Sequence, residues 1–259
     1  MLRTDSTGFG DIKVIQKKGY GYGVDAVLLA AFAAGETGAS AAASVSRDDE
    51  GQKFIYAADL GTDCGIVAFV FSHKVPGSKV LGIEKREEAA ARAREAAELS
   101  GLQDRVSILT ADVADIACGR FDAGTGLFDA VLSNPPYFRK DAAIPSAASD
   151  RYTARHETTA GIKDFAAAAS VMLKRGGNFW LVHRPDRLVD IFAALRSADL
   201  EPKEMQLVCP HPGEPANIVL INAVKGGGPE LRMLPELAVH TQDGGYTQEI
   251  LRIYERLRN

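Results

Sequence analysis

Three cysteines, one tryptophan and five histidines in 259 residues leave little material for the chemistries those side chains serve. Cys64, Cys118 and Cys209 show neither disulfide nor metal-ligand spacing, so free thiols and a reducing compartment are expected. His73, His156, His183, His211 and His240 are scattered, and no Gly-x-Ser-x-Gly or Walker loop occurs, which argues against metal-dependent and acyl-transfer chemistry. A basic excess is also missing. Lys and Arg number 30 against 34 Asp and Glu, a net charge of −4, so any nucleic-acid contact must be local and not a general basic coat. No run approaches the roughly 18 apolar residues of a membrane span. The start, Met1-Leu2-Arg3-Thr4-Asp5, has no apolar signal core, and a cytoplasmic location is expected. What the chain does have is 46% hydrophobic content, ample for one large α/β domain over 1–259, with 1–53 as extension and connector and 54–259 as core.

The extension holds a short strand at 11–16, a glycine-broken loop containing Tyr20 and Tyr22, and a helix at 24–34, where Val24, Val27, Leu28, Ala31 and Phe32 recur at helical spacing. Asp25 complements the start of that helix dipole. Residues 35–53 lack periodicity and read as a mobile connector. Strands then alternate with helices: strands at 54–58, 79–83, 106–109 and 128–132, helices at 66–73 and 86–99. A helix at 165–173 is stopped by Gly176-Gly177 and followed by a strand at 178–183 and a Pro185-initiated helix to 197. Paired strands at 205–209 and 217–224 and a helix at 249–257 complete the pattern.

The chemistry-bearing residues gather where strands end, as expected for ligands bound outside the carboxyl ends of an open α/β sheet. Asp59, Gly61 and Gly65 bound the loop after the first core strand, where backbone can approach a nucleotide-type ligand at a helix N-terminus. Glu84 ends the second strand, 25 residues after Asp59, and can accept from both hydroxyls of a ribose. Asp112 follows the third strand, either to accept from an adenine amino group or to cap the next helix. The fourth strand delivers Ser133-Asn134-Pro135-Pro136-Tyr137. The Asn134 amide oxygen and the Pro135 carbonyl are adjacent acceptors that can converge on the two hydrogens of an NH2 group, localising its lone pair without a general base. Pro135 and Pro136 stiffen the turn, and Tyr137 offers a face for a stacked heteroaromatic ring. A simple strand-closing turn is the alternative reading. Arg139, Lys140 and Arg155 then leave a slight positive excess suited to a substrate phosphate.

These residues resemble the class I S-adenosylmethionine (SAM) dependent methyltransferases of the Asn-Pro-Pro-Tyr type. Within that class the chain is similar to the bacterial tRNA1(Val) adenine-37 N6-methyltransferase family, through Gly23-Val24-Asp25-Ala26-Val27-Leu28-Leu29-Ala30, Ala154-Arg155-His156-Glu157, Val182-His183-Arg184-Pro185-Asp186-Arg187-Leu188, Pro215-Ala216-Asn217-Ile218-Val219-Leu220 and Asp243-Gly244-Gly245-Tyr246-Thr247. The resemblance implies a Rossmann-like, seven-stranded, mostly parallel sheet with helices on both faces and its last strands antiparallel. It also implies SAM as cofactor and a tRNA anticodon loop as partner, with no metal and no membrane. SAM would be held by Asp59, Gly61, Gly65, Glu84, Asp112 and Asn134, catalysis would fall to Asn134, Pro135 and Tyr137, and substrate would be held by Pro136, Tyr137, Arg139, Lys140 and Arg155. One departure stands out: Asp63 replaces a glycine of the usual SAM loop. Methylation of a protein glutamine amide or of an rRNA base amine, and a non-catalytic SAM-fold nucleic-acid binder, are the competing readings.

Overall fold

The apolar runs of the sequence become the strands of one sheet. A computed structural model of the chain describes residues 1–17, 19, 21–41, 46–47, 53–136 and 160–256. Strands β1 (Leu2–Ser6) and β2 (Lys13–Lys17) pair antiparallel as a separate hairpin, and helix α1 (Val24–Ala33) follows. The main sheet takes β3 (Ser46–Arg47), β4 (Lys53–Leu60), β5 (Ser78–Glu84), β6 (Val106–Thr110), β7 (Phe128–Ser133), β8 (Leu173–His183), β9 (Leu200–Cys209), β10 (Ile218–Lys225), β11 (Arg232–Met233) and β12 (Leu237–Ala238). Between them lie α2 (Ile66–Lys74), α3 (Glu87–Leu99), α4 (Val113–Ala117), α5 (Ile162–Met172) and α6 (Leu188–Ser197), and α7 (Gln248–Ile253) comes after.

The seven expected strands run in the order β6-β5-β4-β7-β8-β10-β9, parallel from β6 to β8, with β10 antiparallel to both of its neighbours. Among the described residues the sheet nevertheless has ten strands, because three two-residue segments add to it. β11 and β12 cover the outer side of β9, whose edge N–H and C=O groups would otherwise be open to another chain. β3 pairs with the start of β4.

Side chains alternate between two cores, as the strand period of two requires. In β8, Trp180 and Val182 join α1 and α2 on one face, whereas Phe179 and Leu181 join α5 and α6 on the other. α2 is buried from Ile66 to Ser72 and α1 from Ala26 to Ala33, so both helices are apolar all round. α3 is amphipathic: Ala89, Ala90, Ala93, Ala96 and Ala97 form its buried stripe, and Gly101, at φ +64°, ends it.

Two expectations need correction, and one strand was not foreseen. Residues Leu2–Ser6 form a strand that the polar sequence hid. The connector after α1 is partly anchored, since the Ser40 N–H and hydroxyl donate to the buried Glu204 carboxylate on β9 at 2.9 and 2.8 Å. Gly176-Gly177 does not separate helix from strand: β8 begins at Leu173, and the glycines form an irregularity inside it, with Phe128 paired to Leu173 and Ala130 to Asn178. All three cysteines are free. Among the described residues no helix is long and apolar enough to cross a membrane.

Candidate active site at the carboxyl ends of the sheet

Parallel strands β4, β5, β6 and β7 bring their carboxyl ends together, and a cavity of 540 Å³ opens there. That volume falls within the roughly 300–1,000 Å³ of small-molecule sites. Gly61, Glu84, Asp112, Asn134 and Pro136, all singled out from the sequence, line it. Asp59 and Gly65 do not. Tyr20, Tyr137, Arg139, Lys140, Arg155 and the segment 138–157 lie outside the described residues. Lys85, Arg86, Val113 and Phe165 also line the cavity and were not foreseen; adjacency to a strand tip was the available signal for the first three.

The loop after β4 is held by its own backbone. Gly61 and Thr62 N–H groups both donate to the Ile83 carbonyl, at 2.8 and 3.0 Å, and Gly65 N–H donates to the Thr62 carbonyl at 2.8 Å. Gly61, Asp63 and Gly65 all adopt left-handed backbone, with φ of +76°, +47° and +85°. Asp63 thus adopts a left-handed conformation that favours glycine, and aspartate is among the side chains that tolerate it best. Its carboxylate is drawn out to the Arg86 guanidinium at 2.7 Å. The bulk that the sequence placed in the loop is directed into an ion pair.

Asp59 lies beneath this loop, 1% exposed, accepting from the Thr62 hydroxyl at 2.6 Å. Burial pushes its carboxyl from 3.8 up to about 7, against the pull of the Thr62 hydroxyl and the Ala68 N–H. The unfolded chain therefore releases this proton near pH 4 while the folded protein holds it to about pH 7. Stability from this group is complete below pH 4, falls as pH rises towards 7, and is level above. Asp59→Asn is expected to be more stable than the wild type at pH 8, by roughly 2–4 kcal/mol, with the advantage gone near pH 4. Urea denaturation at several pH values reads this; a pH-independent difference would refute it.

Glu84 is 5% exposed at the tip of β5. One oxygen accepts from the Arg86 N–H and Nε, both at 2.9 Å, and the other from the Asp63 N–H at 3.2 Å. Arg86 therefore bridges Glu84 and Asp63 along one wall of the cavity. Asp112 caps α4, one of the two readings of the sequence, accepting from the Ala114 N–H at 3.0 Å, and it also lines the cavity. Burial alone would raise its carboxyl, but Lys85 at 2.7 Å and the Ala114 N–H hold it below its ordinary value.

Asn134 is half-buried directly after β7, with Pro135 buried behind it and Pro136 exposed to the cavity. The preceding Ser133 hydroxyl donates to the Leu60 carbonyl at 2.9 Å, tying the end of β7 to the end of β4. The Asn134 Nδ2 donates to Asp25 Oδ2 at 3.0 Å, a contact spanning 109 residues that brings the N-terminal extension into the site. The sequence had given Asp25 only a helix-dipole role.

The strand order, the acid at the tip of the second core strand and the glycine-bearing loop after the first define the class I methyltransferase fold. The methyltransferase small domain model matches residues 50–195, more than half of the chain, and the protein belongs to that family. A tRNA1(Val) (adenine(37)-N6)-methyltransferase of Porphyromonas gingivalis is 33% identical over 169 residues, covering 65% of this chain and 60% of the relative. The chain thus spans about three-fifths of that relative's length. The equivalent enzyme of Bacteroides fragilis is 27% identical over 202 residues, 77% of this chain and 82% of the relative. Among solved structures, a predicted O-methyltransferase from Agrobacterium tumefaciens superposes with a TM-score of 0.65 at 24% identity, over 91% of this chain and 98% of that one. A Thermus thermophilus 16S rRNA N2 G1207 methyltransferase, solved with AdoMet and guanosine, gives 0.55 at 17% identity over 87% and 51%. These two likenesses carry the fold alone.

Proposed function

We propose that the protein is a SAM-dependent N-methyltransferase whose acceptor is an exocyclic amino group, the N6 of an adenine in a tRNA anticodon loop. The observation that carries this reading is the placement of Asn134, backed by Pro135 and Pro136, in the wall of the cavity that Gly61, Glu84 and Asp112 also line. The donor set suits SAM: the buried Glu84 carboxylate lines the cavity and keeps lone-pair capacity beyond its three protein hydrogen bonds, which a ribose hydroxyl would use. A left-handed glycine at 61 leaves the floor clear there, with Phe165 the nearest group to an added Cβ at 3.5 Å. SAM brings an electrophilic methyl group on a sulfonium. The chain's own residues bind and orient. Glu84 holds the ribose, Asp112 and Lys85 face the adenine end, and the Asn134 oxygen accepts a hydrogen from the acceptor amine, raising lone-pair density on its nitrogen.

The tRNA acceptor is favoured by the names of the curated relatives and by the cost of the alternative, since an adenine in a loop is already unpaired and cheap to extrude. Incubation with SAM and unmodified bulk tRNA, followed by nucleoside mass spectrometry, is expected to yield N6-methyladenosine. Methylated glutamine or rRNA with unmodified tRNA would move the acceptor elsewhere. Glu84→Ala is expected to weaken SAM binding by roughly 1.5–3 kcal/mol, the loss of a charged acceptor. Unchanged affinity in calorimetry would remove Glu84 from the ribose.

A further inference from the structure

We infer that Asp25 is a positioning residue: it sets which end of the Asn134 amide faces the acceptor amine, and residue 23 is glycine so that it can. The inference rests on the methyl-transfer reading above. A carboxylate only accepts hydrogen bonds, so the amide can meet Asp25 Oδ2 at 3.0 Å only through its NH2 end. That turns the carbonyl oxygen to the opposite side, and Asn134 lines the cavity. The two ends of an asparagine amide have nearly the same shape. Released from Asp25, the side chain could present its NH2 to the incoming NH2, donor against donor. Catalysis here needs an acceptor, so orientation decides activity. The charge-assisted bond also polarises the amide towards its oxygen.

The mount of this carboxylate is stiff. Asp25 stands in the first turn of α1, whose next eight residues, Ala26 to Ala33, are all buried. Its other oxygen lies over Gly23, where a Cβ would fall 2.2 Å from Oδ1. Gly23 has ordinary extended backbone, φ −89° and ψ 171°, so alanine there carries no backbone strain. Among the described residues, the three atoms nearest to an added Cβ at 23 all belong to the Asp25 side chain, so a substitution there acts on it first.

Four variants test this: Asp25→Ala, Asp25→Asn, Gly23→Ala and the double Gly23→Ala/Asp25→Ala. Asp25→Ala is expected to lower kcat by about 10- to 100-fold, the scale of a misplaced catalytic group, with KM for tRNA and Kd for SAM within threefold. Asp25→Asn, which keeps an acceptor oxygen and the shape, is expected to recover most of that loss. Gly23→Ala should reproduce the Asp25→Ala defect and add nothing to it in the double variant. In 1H–15N spectra, the Asn134 side-chain NH2 pair, identified by its absence in Asn134→Ala, should move in Asp25→Asn, which keeps the reading open should Asp25→Ala fail to fold. A kcat within twofold of wild type for Asp25→Ala, additive losses in the double variant, or an unmoved NH2 pair overturns the inference. Wild-type protein that transfers nothing to tRNA while the NH2 pair still responds to Asp25 overturns the acceptor reading instead.

Discussion

Replacing Asn134 with alanine is expected to abolish methyl transfer, by about 100- to 1,000-fold or more, while Kd for SAM changes only a few-fold. The size follows from removing a pre-positioned group that meets charge as it develops in the transition state. The split follows from geometry: Glu84, Asp112 and the loop of Gly61 to Gly65 come from other strand ends, and Asn134 enters only where β7 closes the cavity. Steady-state kinetics with tRNA and calorimetry with SAM read the two quantities separately. Loss of SAM affinity in parallel with activity would place Asn134 in cofactor binding and not in acceptor activation. Asn134→Asp should be no rescue, because a second carboxylate beside Asp25 must either bind a proton or swing away.

The second large effect is on stability. Gly65→Ala is expected to destabilise the fold by about 2–5 kcal/mol, from left-handed strain on a Cβ and from overpacking. At φ +85°, an added Cβ would lie 2.4 Å from the ring of Phe69, itself fully buried in the core shared by α1 and α2. Neither term can relax cheaply, since Gly65 begins α2 and its N–H already closes the loop onto Thr62. At roughly 2–4 °C per kcal/mol for a chain of this size, the melting temperature should fall by about 5–15 °C. A shift under 2 °C would mean that Phe69 repacks without cost.

Most of the sheet was legible because its strands are apolar runs bounded by glycine or charge, and because parallel strands put their functional residues at one end. Glu84, Asp112 and Asn134 could be placed for that reason. Asp25 could not be linked to Asn134, since nothing in either local pattern records a contact across 109 residues. Leu2–Ser6 escaped notice for another reason: every residue of it but Asp5 is exposed, while its partner strand buries Val14, Ile15 and Gln16, so it carries no alternation to read. Gly176-Gly177 misled in the opposite sense, because glycine marks a strand irregularity as well as a helix stop. The short β11 and β12 depend on the free edge of β9, with Pro235 between them, and two residues carry no period.

The position of β10 bears on how the chain is made. Ile218–Lys225 lies between β8 and β9, although it is synthesised after both. Until it emerges, β8 has an open side, and β9 has no paired strand among the described residues, because β11 and β12 come later still. During translation the nascent protein therefore exposes unpaired edges on both strands, the kind of surface that invites wrong pairing and chaperone capture. Placing β10 in the gap between them pairs both β8 and β9, and β11 and β12 then close the outer edge of β9.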